Sequence, residues 1–215
     1  MTINDLLGRV VRPAIVVGGV IPAIVIGMRL FRGDYANPAE ALEHATGFTA
    51  LWFLLSSLAA TPLRTLTGVA GFTRLRKPLG LWAFAYATIH LGCYLVFDQS
   101  LLWGEIWFDI RERPYITVGF TAFLILLALA VTSPNRMAKW LGGKRWKALH
   151  RLVYVAAALG VLHFLWLVKR DITRPVVAAT VLIALLALRL PAARRERRAA
   201  KDERRTPAAV APSRG

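Results

Sequence analysis

The chain has 215 residues, 56% of them hydrophobic, with a mean hydropathy of +0.50 and a formal net charge of +16. A soluble domain this apolar would expose large sticky patches, which a bilayer accommodates. The basic residues fall in short clusters between apolar runs, which is the pattern of cytoplasmic membrane loops and argues against a nucleic-acid footprint.

A helix needs about 20 apolar residues to cross the hydrocarbon core, and six runs qualify or nearly so. The first, Val10–Leu30, follows Arg9 and Arg12. The segment Gly27-Met28-Arg29 is a poor cleavage site, so this run reads as a retained span, kinked at Pro22. Gly47–Leu63 is the second, short and able to start within the interface, with Thr46 as its expected N-cap. Leu79–Phe97 is the third and contains the lone Cys93, which reads as a small buried apolar residue. The segment Leu101–Ile110, rich in Trp and Leu, is expected to lie flat at the outer interface. Tyr115–Thr132, Leu149–Val168 and the short Pro175–Leu190 complete the set. Pro62, Pro78, Pro114, Pro134 and Pro175 are expected at run boundaries, where a missing N–H costs least.

The predicted fold is therefore an all-α polytopic membrane bundle of about six transmembrane helices. Residues 1–190 form the membrane domain, and 191–215 form a basic, disordered cytoplasmic tail lying along anionic headgroups. Charge sets the orientation. The N-terminus, the 63–78 loop, the 133–148 loop and the tail from Arg189 together hold twenty of the 28 basic residues. The opposite side holds Arg29, Arg32, Arg111, Arg113, Lys169, Arg170 and Arg174, with eight of the twelve acidic residues. Both termini are accordingly cytoplasmic, as expected for a bacterial inner-membrane protein.

The candidate chemistry lies in four histidines, His44, His90, His150 and His163. A polar ring in hydrocarbon needs a strong compensating partner, and a haem iron bound by neutral imidazole supplies one. His90 lies eleven residues beyond Leu79, about 17 Å into its span, and His163 lies fourteen beyond Leu149, about 21 Å into its own. Both helices run the same way, so the two rings can face each other in the periplasmic half as axial ligands of one iron. His150 lies thirteen residues before His163, about 20 Å lower and about 140° around an ideal helix. That rise suits a second haem in the other leaflet, but no histidine of the third span stands opposite. Arg76 and Lys77 occupy that level. Arg76 either pairs with a haem propionate, approaches a second haem, or is an ordinary positive-inside charge. His44, at the edge of the second span, either donates to a propionate or simply sits at the interface.

The runs His44-Ala45-Thr46-Gly47, Arg74-Leu75-Arg76-Lys77-Pro78-Leu79-Gly80-Leu81-Trp82 and Arg113-Pro114-Tyr115-Ile116-Thr117 carry a family resemblance. So do Lys144-Arg145-Trp146-Lys147-Ala148-Leu149-His150, His163-Phe164-Leu165-Trp166 and His90. In order and spacing, from about residue 40 to 170, they resemble the MsrQ (YedZ) family. These are ferric-reductase-like membrane domains that serve as haem-binding subunits of a periplasmic methionine sulfoxide reductase system. The resemblance implies b-type haem on His90 and His163, with His150 as ligand of any second haem. It implies electrons from the quinol pool, with flavin mononucleotide (FMN) on the cytoplasmic side as a further carrier. The implied acceptor is a periplasmic molybdopterin subunit that reduces methionine sulfoxide in proteins and would dock on Asp98–Arg113. The fuller members of the wider class carry two histidine pairs, and the position near Arg76 departs from that pattern. The rival readings are a stand-alone haem ferric reductase, for which 215 residues leave no cytoplasmic flavin domain, and a haem-free transporter or assembly factor.

Overall fold

The computed structural model describes residues 2–168 and 171–205, with side chains through residue 189. The elements in chain order are α1 (Ile3–Phe31), α2 (Pro38–Thr67), α3 (Ala70–Asp98), α4 (Trp103–Glu112), α5 (Pro114–Val131), α6 (Asn135–Leu141), α7 (Gly143–Leu167) and α8 (Thr173–Arg205). Among the described residues there is no strand. Helices α1, α2, α3, α5 and α7 are long and apolar enough to cross a bilayer, and α8 begins with a sixth apolar stretch. The side chains of the expected tail from residue 191, and its backbone from 206, lie outside the described residues.

Helix α2 is the centre of the bundle. It packs most extensively on α3, while α7 packs on α5, and α8 closes against both α2 and α7. Leu51, Leu54, Leu55 and Leu58 of α2 meet Ala83, Leu126, Ala156, Ala157, Val161, Ala178 and Leu182 from the four neighbouring helices. Alanines on the facing helices allow close backbone approach, so the bulk of the core comes from one leucine-rich face.

The second span departs from expectation in three ways. It is 30 residues long, it starts at Asn37 with a side-chain cap on Glu40, and it ends at Gly68 in the left-handed conformation. Thr46 is therefore no N-cap. It lies inside α2, buried, with its hydroxyl donating back to the Leu42 carbonyl at 2.6 Å. The first turns carry Glu40, Glu43 and His44, so apolarity alone places the start too late. Pro62 lies within the helix, not at its end. Proline cannot bond the carbonyl four residues back, and Arg189 of α8 fills the gap by donating from Nη2 to the Leu58 carbonyl at 3.0 Å and to Thr61.

The first span breaks before Pro22, as its sequence predicts. The hydroxyl of Tyr86, on α3, inserts into the broken ladder, donating to the Gly19 carbonyl at 2.8 Å and accepting from the Ala23 N–H at 2.9 Å. Trp82 pins the same helix by donating to the Ile15 carbonyl at 3.0 Å. Gly19 permits the approach, since a Cβ there would lie 2.1 Å from the Trp82 ring. Tyr86→Phe is expected to destabilise the protein by about 1–3 kcal/mol, because it strips two apolar-buried backbone groups of a partner. Thermal unfolding in detergent reads this; an unchanged midpoint would mean that α1 simply re-forms its own bond.

Candidate functional site

Two histidines from different helix pairs meet inside the bundle. His90 comes from the last α-helical turn of α3 before a π-helical stretch, Tyr94–Asp98, and His163 from the last turns of α7. Their ring centres lie 6.1 Å apart with planes inclined at 74°.

Each ring is held in the same manner. His90 Nδ1 lies 2.9 Å from the Glu43 carbonyl of α2, and His163 Nδ1 lies 2.7 Å from the Tyr115 carbonyl of α5. A carbonyl oxygen only accepts, so each Nδ1 carries the proton. In a neutral imidazole the lone pair is then on Nε2. A carbonyl within a helix is normally screened by the side chain one turn on. Here that residue is glycine in both cases. A Cβ on Gly47 would come 3.0 Å from the His90 ring, and one on Gly119 would come 2.7 Å from His163 Nδ1.

Two unprotonated nitrogens in one interior site suit axial coordination of a metal. Two metal–imidazole bonds of about 2 Å, with about 1 Å from nitrogen to ring centre, set the centres about 6 Å apart. The carbonyl bonds are the outer-shell contacts that fix tautomer and ring orientation for such ligands. Phe164, next to His163 in the chain, meets Phe48 edge-to-face, Phe48 meets Trp52 likewise, and the Tyr115 ring lies 6.2 Å from the His163 ring. Trp52 Nε1 and Glu43 Oε1 are buried without a hydrogen-bond partner among the described residues. These features fit haem: apolar and aromatic walls for a porphyrin, two axial nitrogens, and unmatched polar atoms nearby.

The other sequence candidates lie elsewhere. His150 ends the first segment of α7 and stacks on Trp146 at 4.0 Å. Its Nε2 is 3.2 Å from the Thr132 hydroxyl, which gives its own proton to the Ala128 carbonyl and so accepts from His150. His150 thus presents the opposite tautomer, with Nε2 engaged. Arg76 is half-buried, and no hydrogen bond joins it to His150 among the described residues. His44 is exposed on α2. Cys93 is buried and free.

On the end of the bundle nearer the pair, α4 turns Trp103, Trp107 and Phe108 outward, with exposures of 73%, 62% and 58%. Asp109 does not join this surface. It is 3% exposed and held by Tyr94, Gln99 and an ion pair to Arg113 at 3.0 Å. The Tyr115 hydroxyl and this carboxylate raise the Arg113 guanidinium further above its ordinary range.

Residues 45–161 match the family described as ferric reductase like transmembrane component. A relative from Rhodospirillum rubrum is 50% identical over 196 residues, covering 90% of this chain and 93% of its own. One from Deinococcus radiodurans is 45% identical, covering 88% and 94%, and one from Herminiimonas arsenicoxydans is 48% identical, covering 72% of each. All three carry the name protein-methionine-sulfoxide reductase heme-binding subunit MsrQ.

Gly119→Val is expected to push His163 off the Tyr115 carbonyl. Nitrogen-15 NMR of labelled histidine should then lose one Nδ1–H signature. Gly27→Val, with nothing within 4 Å of the added Cβ, should leave both intact. Equal spectra for the two variants would contradict the glycine's role.

Proposed function

The chain belongs to the MsrQ family of ferric-reductase-like membrane proteins, and from that premise we propose that it is the b-type cytochrome subunit of a protein-methionine-sulfoxide reductase system. The observation that carries this reading is the His90–His163 pair, 6.1 Å between ring centres, with both Nδ1 atoms on backbone carbonyls and neither Nε2 hydrogen-bonded among the described residues. His90 and His163 would hold the haem iron through their Nε2 atoms. When bound, haem supplies one-electron transfer between ferric and ferrous iron.

The chain's own contribution is to hold and insulate. The Glu43 and Tyr115 carbonyls keep each imidazole in one tautomer, and the apolar bundle excludes water. No residue here needs to act as acid or base. The positive-inside rule supports a bacterial inner-membrane protein with cytoplasmic termini and the histidine pair in the periplasmic half. Electrons would enter from the quinol pool, with FMN at the basic cytoplasmic loops. They would leave for a periplasmic molybdopterin subunit docked against the exposed aromatics of α4. The sulfoxide chemistry belongs to that partner, where reduction restores an apolar methionine from a polar oxidised form. A second haem in the cytoplasmic half would use His150, released from Thr132, with Arg76 beside its propionates. Residues 1–190 would form the haem domain and 191–215 a tail at the headgroups.

An optical spectrum of the purified chain tests the proposal. Dithionite-reduced b-type bands are expected in wild type, with the bands lost or at least halved in His90→Ala or His163→Ala. Iron stoichiometry near two, falling to one in His150→Ala, would support the second haem. A well-folded wild type without bands would overturn the cytochrome reading.

A further inference from the structure

A second unsatisfied cluster lies at the basic end of the bundle, away from the histidine pair. Arg76 opens the α-helical part of α3, its carbonyl accepting from the Ser57 hydroxyl of α2 at 3.0 Å, and Arg189 reaches in from α8 to the carbonyl of the next residue of α2, Leu58. Part of Arg189 is accounted for. Its Nη2 serves the Leu58 carbonyl freed by Pro62, and its guanidinium lies over the Tyr154 ring of α7 at 4.8 Å. The remainder is not. The Nε of Arg189 and the Nε of Arg76 are both sealed from solvent without an acceptor among the described residues. The only ion pair among those residues is Arg113–Asp109, on the other end.

Two like charges anchored at neighbouring residues of one helix, each half-buried with an idle buried donor, oppose folding unless an anion joins them. Guanidinium is suited to that anion, because its planar fork donates in parallel to carboxylate or phosphate oxygens. We infer that Arg76 and Arg189, from α3 and α8, together form a binding site for an oxyanion carried by a bound molecule. Two sources share this chemistry. One is the carboxylates of a second haem, which rests on the proposed function. The other is the phosphate of an anionic phospholipid entering from the adjoining leaflet, which does not.

Native mass spectrometry of the full chain, purified in mild detergent with its own cargo, tests the site. The expected result is that the Arg76→Met/Arg189→Met double variant loses one bound molecule, at least tenfold in occupancy. Loss of a haem mass assigns the carboxylate source, and loss of a phospholipid mass assigns the phosphate source. In either case the absorption bands of haem on His90 and His163 persist. Bands absent from wild type would sink the cytochrome reading and leave the phospholipid arm standing. Identical cargo in wild type and double variant, with equal or higher thermal stability, would overturn the inference, since that is how two structural orphan charges behave on replacement by apolar side chains. Should the double variant fail to fold, Arg189→Gln is read by the same two outcomes.

Discussion

An imidazole inside an apolar bundle has two ring nitrogens, and each must find a partner where water is scarce. In this protein one nitrogen of each paired histidine finds a helix carbonyl. That solution requires the carbonyl to be reachable and the neighbouring helix to be close, and it leaves the second nitrogen as a lone pair aimed elsewhere. The rest of the architecture follows from that demand. Gly47 and Gly119 open the two carbonyls, α2 holds α3 and α5 holds α7, and the small residues Ala156 and Ala157 let the α2–α3 and α5–α7 halves approach.

The same accounting explains the irregular features. Proline at position 62 frees a carbonyl, and an arginine from α8 takes it. The break at Gly19–Ala23 is bridged by a tyrosine hydroxyl. In hydrocarbon each lapse in a helix ladder needs a named substitute, and these substitutes tie the outer helices α1 and α8 to the central ones. The accounting does not close at Arg76, Arg189, Trp52 and Glu43, each of which has one buried polar atom without a partner among the described residues.

Much of this was legible in the sequence. Five of the six spans follow from apolar length, and the meeting of His90 with His163 follows from counting residues along two co-directional helices. The start of α2 was not legible, because Glu40, Glu43 and His44 are polar and the signal there is a cap at Asn37. Nor were the carbonyl partners. Gly47 and Gly119 look like any glycine in an apolar run until the facing histidine is known. Leu58, Arg189 and Pro62 form one interaction across 131 positions of chain, which no local pattern encodes. His150 was legible as a ring at the basic end, but its tie to Thr132 was not.

Electron paramagnetic resonance of the oxidised, purified chain tests most directly whether His90 and His163 share one iron. Two imidazoles with planes inclined at 74° should give a low-spin ferric signal of the strongly anisotropic kind that near-perpendicular axial ligands produce. That signal should convert to high-spin on replacing either histidine. A wild-type signal that is high-spin, or a low-spin signal untouched by His90→Ala and His163→Ala, would contradict the account.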